Sequence, residues 1–446
     1  MSKSHEMTSE TSHSQKIHVF TSLLDRIKNL LTVYRHLIVI FVLGFLLRAS
    51  MFIIWIPGTR VYMGDPYLYI ARSNRILDGD IPYHDFSDTK PPLWSYSLAL
   101  WFKLLGKEPT ITGIKVFIFI FSMLDILLIY IITKKLFSEK EALIAALFFA
   151  LNPLDIFNSM ICGRYDAVPL FFLLLSFYYL QKMKWKLSAF FLAVGVMFKY
   201  TAGLLIFPYA IYLHYREKEE DKHKNRLSMP IISLKKDKKV WKYFITAFSL
   251  CFIISLPFLI INWHDYFYYT LDFARSPRPS ISIYGVLSHA LIYYHPEYDW
   301  VRDFGPIEFL LEFTLLVLIT KKILKGKKSL ENIEFVLIAF LWSVLLISIS
   351  MTAKSQYFEY SMPWLGILFA KVYQIKDHAP NKNLLLIVST AIIPLAVVLS
   401  HLLYSNYFEL SPSSLYYVGY GLGVIFLDVL IFYELIKYYL IFVKKQ

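Results

Sequence analysis

Cysteines and closely spaced histidines are scarce in this sequence. The two cysteines, Cys162 and Cys251, lie in separate apolar blocks, which argues against a disulfide framework and against a cysteine metal site. Three histidines, His264, His289 and His295, fall in one polar stretch, but they lack the short spacing that zinc sites use. The composition therefore excludes the disulfide-rich and zinc-binding classes of small domain.

A continuous basic face and an internal repeat are lacking as well. The formal net charge is +13, but the Lys and Arg residues stand in short clusters between apolar blocks. A nucleic-acid-binding protein gathers them on one face, so we expect no nucleic-acid partner. Because no repeat is visible, the inverted repeats of many transporters find no support here.

Apolar residues dominate the chain. Hydrophobic residues make up 57% and aromatic residues 18% of the sequence, and the mean hydropathy is +0.50. The apolar blocks are roughly 15–25 residues long, the length that a helix needs to cross a bilayer. We therefore predict an all-α, polytopic transmembrane helix bundle of about 12 spans. The predicted spans are 37–56, 111–133, 141–160, 166–181, 187–201, 202–215, 243–261, 306–320, 332–351, 361–375, 384–403 and 415–436.

The two ends of the chain differ from its middle. Residues 1–36 begin with a tract rich in Ser, Thr and His, and we expect a disordered, basic cytoplasmic tail. The first apolar block starts near Leu37 without a small-residue cleavage site, so it is expected to be a membrane span rather than a signal peptide. We expect one membrane module over 37–375 and a C-terminal transmembrane hairpin over 376–446.

The distribution of positive charge predicts the topology. If segment 91–105 does not cross the bilayer, the loops on one side after residue 133 hold 27 Lys and Arg residues, and those on the other side hold six. The positive-inside rule puts the basic loops in the cytoplasm. Segment 91–105 then lies in the interface, and both termini are cytoplasmic. The outer side receives the stretches 57–110, 262–305 and 352–361.

The first outer stretch carries the aspartates Asp65, Asp78, Asp80, Asp85 and Asp88. Asp65-Pro66 has the pattern of a helix start, with Asp as N-cap and Pro at the first helical position. Asp65 is equally a candidate general base that takes a proton from an attacking hydroxyl group. Asp78-Gly79-Asp80 is typical of a plain turn, although Asp-x-Asp pairs also bind divalent metals.

Cationic residues on the same side allow two interpretations. Arg164 and Asp166 stand between the third and fourth spans, Lys199 lies near the outer end of the fifth, and Lys354 precedes Tyr357 in the third outer stretch. Such cations commonly extend to lipid headgroups. They are also suited to a cationic pocket for a phosphate group.

The order of these motifs resembles the GT-C class of polytopic glycosyltransferases, which includes protein O-mannosyltransferases, aminoarabinose transferases and polyprenyl-phosphate-mannose-dependent mannosyltransferases. The similar segments are GDPY at 64–67, LDGDIPYHDF at 77–86, KPPL at 90–93, NP at 152–153, GRYD at 163–166, FK at 198–199 and QY at 356–357. Together they extend over roughly residues 40–370.

This resemblance implies a function. A monosaccharide, with mannose favoured, would pass from a polyprenyl-phosphate donor in the bilayer to a hydroxyl group of a glycan, lipid or protein, with inversion at the sugar. Asp65 would be the general base, and neither a metal nor another cofactor is expected. The residues expected to bind substrate are Lys90, Arg164, Asp166, Lys199, Lys354, Tyr357, Tyr83 and Asp85.

A transporter or flippase is the alternative interpretation of the same bundle. It predicts charged residues at the bilayer midplane and interrupted helices, whereas the charged residues of the motifs described above lie in the predicted outer loops. A structural partner of a larger complex would have no need of Asp65. Glycosyl transfer therefore accounts for more of the pattern.

Overall fold

The computed structural model describes residues 34–54, 64–220, 237–272, 305–325, 329–348 and 355–374. Every regular element in these ranges is helical, and one β-bridge pairs Pro82 with Phe86. The predicted all-α class is confirmed.

The α-helices in chain order are α1 (Arg35–Ile54), α2 (Gly64–Leu77), α3 (Pro92–Leu105), α4 (Ile111–Leu136), α5 (Glu139–Ala150), α6 (Pro153–Ile156), α7 (Ala167–Gln181), α8 (Trp185–Phe198), α9 (Ile206–Glu220), α10 (Lys238–Phe267), α11 (Gly305–Leu324), α12 (Asn332–Ser348) and α13 (Met362–Gln374). Shorter turns of helix join some of them. These are the π-helices Phe157–Ile161 and Tyr268–Asp272 and the 3₁₀-helices Tyr200–Leu205 and Ser355–Tyr360.

Four of the described helices are long and apolar enough to cross a membrane. They are α1, α4, α5 with its continuation to Ile161, and α10 with its continuation to Thr270. Each coincides with a predicted span. The predicted total of about 12 spans stays a prediction, since 384–403 and 415–436 lie outside the described residues.

The predicted span 141–160 corresponds to the candidate span Glu139–Ile161, within which the α-helix is interrupted. Helix α5 ends at Ala150, and a new start follows at Asn152, whose Oδ1 accepts a hydrogen bond from the Leu154 backbone N–H at 3.0 Å. Pro153 lacks a backbone N–H and cannot continue a helix, but it suits a first helical position. The π-helix Phe157–Ile161 then completes this segment.

The centre of the bundle is closely packed. Helices α7 and α8 form an antiparallel hairpin in which the Ser176 hydroxyl donates to the Ser188 carbonyl at 2.8 Å. Near the other end of the hairpin, a Cβ on Gly195 would lie 3.3 Å from the Pro169 carbonyl oxygen. A larger residue at this position would therefore require a neighbouring atom to shift by a few tenths of an ångström. Helix α4 packs against α5 and α7.

A fully buried ion pair ties α1 to this centre. The Arg48 guanidinium lies 2.5 Å from the Asp155 carboxylate, and its Nε donates to the Ser122 hydroxyl at 2.7 Å. Its other N–H groups donate to the Ala150, Gly44 and Phe149 carbonyls. This set of partners satisfies a charge that would otherwise be very costly inside a membrane.

Helix α3 has the features expected of an interfacial segment. Its 14 residues span about 21 Å at 1.5 Å per residue, the same length as α8, so the two sides of the helix are more informative than its length. One face buries Trp94 and Leu98, while Leu100 and Leu104 are exposed. The helix ends at Gly106, where φ is 61°.

The side of the membrane is open to a direct test. We expect a cysteine placed at exposed Ser87 to react with a membrane-impermeant thiol reagent from outside, and one at Ser329 to react only after permeabilisation. The unmodified chain serves as the control, since Cys162 is buried and Cys251 is partly buried. Labelling of both positions from the same face would mean that α3 crosses the bilayer.

Candidate active site

Asp65 lies in the first turn of α2 with 30% of its side chain exposed. The predicted N-cap position is wrong, because the helix already begins at Gly64. The difference of one position has little effect on the electrostatics of Asp65. The N–H groups of the first turn have no partner within the helix, and they stabilise a carboxylate beside them. Asp65 is thus an accessible carboxylate at the positive end of a helix.

Arg164 is the cation opposite Asp65. Its Nε lies 3.9 Å from Asp65 Oδ2, and only 10% of its side chain is exposed. Gly163 explains the approach, because a Cβ there would lie 2.9 Å from Pro66 Cγ, and its φ is +64°. The loop that carries Arg164 therefore rests directly on the start of α2.

Asp166 and Lys199 form an ion pair at the adjacent ends of α7 and α8. Both side chains are buried, with 1% and 9% exposed. Lys199 follows α8 with extended backbone, which directs the chain away from the helix. Asp166 therefore balances the charge of Lys199 rather than offering a free carboxylate to solvent.

The ring of Tyr165 joins two of the cations. The ring stacks on Trp94 at 4.0 Å between centroids. The Lys199 and Lys90 ammonium groups lie 5.6 Å and 6.0 Å from the centre of the ring, within range of cation–π attraction. Lys199 is also 5.9 Å from the Tyr360 ring. The structure thus brings together Asp65, Lys90, Arg164, Asp166 and Lys199.

Tyr83 and Asp85 contact their own loop rather than this cluster. The Tyr83 hydroxyl donates to the Lys90 carbonyl, and its ring packs on Phe258 and Tyr266. Burial raises the pKa of Tyr83. Asp85 accepts from the Ile81 backbone N–H at 2.7 Å and pairs with His84, and these hydrogen bonds lower the pKa of Asp85. Both residues stay candidates for substrate binding.

The turn interpretation of Asp78-Gly79-Asp80 is supported by the backbone. Gly79 has a φ of +103°, a conformation that glycine adopts without strain. The Asp80 carboxylate pairs with Arg75 at 2.6 Å. This segment therefore forms the C-terminal turn of α2.

The side chains of two predicted site residues are not described. Lys354 lies outside the described residues. Tyr357 falls in the 3₁₀-helix Ser355–Tyr360, where only its backbone is described.

Asp88 is a residue whose part in the site was missed. Its carboxylate is fully buried and receives hydrogen bonds from Ser95 at 2.5 Å and the Lys90 backbone N–H at 3.0 Å, and Arg72 pairs with it at 3.0 Å. Desolvation raises the pKa of Asp88. The carboxylate fixes the chain at Lys90 just before α3. Ser95 is seven residues from Asp88, and no short sequence motif predicts a hydrogen bond at this spacing.

Comparison with known proteins adds a family match. Residues 89–234 match the model of the dolichyl-phosphate-mannose-protein mannosyltransferases. This range contains Lys90, Arg164, Asp166 and Lys199, and it begins after Asp65. No curated protein matches the chain in sequence.

Several solved membrane enzymes are distantly similar in structure. ArnT from Cupriavidus metallidurans bound to undecaprenyl phosphate is 13% identical with a TM-score of 0.47, covering 90% of this chain and 76% of its own. The Archaeoglobus fulgidus oligosaccharyltransferase in the apo form is 13% identical with a TM-score of 0.44, covering 87% and 56%. AglB from the same organism, in complex with an inhibitory peptide and a dolichol-phosphate, is 14% identical with a TM-score of 0.42, covering 87% and 60%.

The family match covers four of the five clustered residues, and the helices coincide with apolar blocks of membrane-spanning length. Over residues 89–234, the family match supports the resemblance to the GT-C class that the sequence motifs indicate.

Proposed function

We propose that this protein transfers a monosaccharide from a polyprenyl-phosphate donor to a hydroxyl group of a glycan, lipid or protein acceptor. The observation that carries the proposal is the contact between Asp65 and Arg164, 3.9 Å apart, beside Lys90 and Lys199. An accessible carboxylate next to several cations suits a reaction in which a hydroxyl loses a proton while a phosphate leaves.

Asp65 is the residue we propose as general base. Of the two carboxylates in the cluster, Asp166 is buried against Lys199, whereas Asp65 retains exposed surface. A base must come within hydrogen-bond reach of the proton that it takes. Asp65 would orient and deprotonate the acceptor hydroxyl, whose oxygen then attacks the anomeric carbon in line, so that the sugar configuration inverts.

The cations would stabilise the leaving phosphate. With Asp65 and Asp166 ionised against Lys90, Arg164 and Lys199, the cluster carries one net positive charge. The donor is a phosphodiester with one negative charge, and cleavage of the sugar–phosphate bond gives a monoester that gains a second. Cations fixed where charge develops act mainly on the transition state. Arg164 is suited to bidentate contact with phosphate oxygens.

The sugar and the side of the membrane belong to the same proposal. Mannose is favoured because the matching family is named for transfer from dolichyl-phosphate-mannose. The positive-inside rule puts the cluster on the outer or luminal face, with both termini in the cytoplasm. A monophosphate leaving group can be neutralised by Lys and Arg, so the proposed reaction uses no metal.

A panel of donors would test this function. Membranes containing the protein would be incubated with radiolabelled polyprenyl-phosphate sugars and a mixture of hydroxyl acceptors, and loss of label from each donor would be followed. We expect loss from the mannose donor above that of membranes without the protein. Stability of every donor would contradict the proposal.

Replacing Lys90 by Ala is expected to lower kcat by roughly 10²–10³-fold for every acceptor, because a cation facing the leaving group is lost. Lys90→Arg should restore part of the activity, since charge matters more than shape for a point contact. The measurement is the rate of donor cleavage. Lys107→Ala, which removes an exposed cation from the other end of α3, should leave it unchanged.

An alternative role for Lys90 predicts a different outcome. If Lys90 served only a surface ion pair, its removal would cost at most about 1 kcal/mol of stability and would leave donor cleavage near the wild-type rate. Asp88, the nearest buried acid in sequence, is contacted by Arg72, Ser95 and the Lys90 backbone, and the Lys90 ammonium also stabilises its charged form electrostatically. Normal cleavage by Lys90→Ala would remove Lys90 from the phosphate site.

A further inference from the structure

A chain of side-chain contacts reaches Arg164 from the late outer stretch. Glu359, in the 3₁₀-helix Ser355–Tyr360, accepts a hydrogen bond from Asn158 Nδ2 at 3.1 Å. The Oδ1 atom of the same amide accepts from Arg164 Nη1 at 3.5 Å. The Arg164 backbone N–H also donates to the Asn158 carbonyl at 2.8 Å. Arg164 in turn faces Asp65.

We propose that Glu359 is a positioning residue that holds Arg164 against Asp65 through the side-chain amide of Asn158. This inference rests on the proposed function, in which Asp65 is the base and Arg164 faces the leaving phosphate. Glu359 lies 201 residues from Asn158 in the sequence. It therefore connects the late part of the chain to the loop that carries Arg164.

The hydrogen-bonding chemistry of the amide explains why Glu359 is needed. A guanidinium has only donors, so Asn158 must turn its oxygen toward Arg164, and its NH₂ group then faces the other way. Asn158 is fully buried, so its NH₂ group is away from bulk water and needs a hydrogen-bond acceptor in the interior. Glu359 supplies that acceptor. Without Glu359, nothing would hold the Asn158 amide in this orientation. A flipped amide would turn its NH₂ group toward Arg164, so that two hydrogen-bond donors would face each other.

Glu359 is suited to act as a neutral acceptor. It is fully buried, and desolvation together with the Asp155 and Asp166 carboxylates, the first of which also shares a hydrogen bond with Glu359, raises the pKa of Glu359 well above its usual range. A neutral carboxyl still presents a carbonyl oxygen to Asn158. Glutamine has the same length and the same oxygen, so it is the conservative replacement. Leucine removes the acceptor while it preserves most of the volume.

The experiment compares the kinetics of donor cleavage in four variants. We expect Glu359→Leu and Asn158→Ala each to lower kcat by roughly 10- to 100-fold with little change in the KM for the donor, because a transition-state contact is lost. Glu359→Gln should retain most of kcat. The double variant Glu359→Leu/Asn158→Ala should lose no more than the worse single variant, since both break one chain of contacts.

Controls separate positioning from folding. Glu334→Leu removes another buried glutamate, in the first turn of α12, and should leave kcat unchanged. The folded fraction of each variant is measured by thermal unfolding in detergent, and each rate is divided by that fraction. If Glu359→Leu does not fold, Asn158→Ala carries the same prediction. Normal kcat in a folded Glu359→Leu or Asn158→Ala variant, additive losses in the double variant, or failure of Gln to substitute would overturn the proposal.

The same experiment distinguishes this inference from the proposed function. An active wild-type protein with an inactive Asp65→Asn variant and a normal Glu359→Leu variant would refute only the role of Glu359. A wild-type protein that cleaves no donor would refute the proposed function and the inference together.

Discussion

Replacing Asp65 by Asn is expected to lower the turnover of the donor by roughly 10²–10⁴-fold, the usual contribution of a general base. Asn has the same size and keeps an oxygen that can accept hydrogen bonds in the first turn of α2. It cannot take a proton from the acceptor hydroxyl. The protein should therefore stay folded while the chemical step slows.

The measurement is single-turnover cleavage of labelled donor, with Asp78→Asn as the matched control at the opposite end of α2. Asp78 is exposed, so its substitution should have a small effect, and chelators should have none. Near-normal turnover by Asp65→Asn would eliminate it as the base. Strong inhibition by EDTA, with equal losses at Asp78 and Asp80, would instead favour a metal site at that turn.

Breaking the ion pair between Arg48 and Asp155 is expected to be the most damaging change to stability. Arg48→Met would leave the Asp155 carboxylate buried without its cation, and breaking one side of such a pair costs about 3–5 kcal/mol. The double variant Arg48→Met/Asp155→Leu should recover much of this loss, because it removes both charges together. The free energy of unfolding in detergent, from denaturant titration, measures both effects.

The exposed pair of Arg75 and Asp80 provides the comparison. Their side chains are 45% and 37% exposed, so Arg75→Met should change the free energy of unfolding by at most about 1 kcal/mol. If Arg48→Met and Arg75→Met changed the free energy of unfolding equally, burial of the Arg48 ion pair would not increase its contribution to stability. A double variant less stable than Arg48→Met would show that the polar network itself stabilises α1.

The helices could be predicted because the bilayer fixes their length. The blocks 37–56 and 332–351 correspond to α1 and α12 within a few residues, since a run of apolar residues of this length has few other stable conformations in a membrane. The residues Asn152-Pro153 have the pattern of a helix start and could have predicted the interruption. A hydropathy average over a whole block does not detect two such residues. The bend of α10 at Asn262 coincides with the predicted end of the span at 261.

The site could be predicted in part. Asp65, Lys90, Arg164, Asp166 and Lys199 come together as expected of residues on one face. Their pairing could not be predicted, because a count of charged residues does not show that Asp166 forms an ion pair with Lys199. Arg48 and Glu359 were missed for a related reason. Their partners lie 107 and 201 residues away, and such contacts leave no local pattern.

The most direct test of the account follows donor cleavage in sealed proteoliposomes. Purified protein would be reconstituted with polyprenyl-phosphate-mannose and a soluble hydroxyl acceptor, and the lipid would be extracted and separated into intact donor and free polyprenyl phosphate. We predict that polyprenyl phosphate accumulates in step with mannosylated acceptor, and that Asp65→Asn abolishes both. Movement of intact donor between leaflets without any release of polyprenyl phosphate would contradict the account and would identify the protein as a lipid transporter.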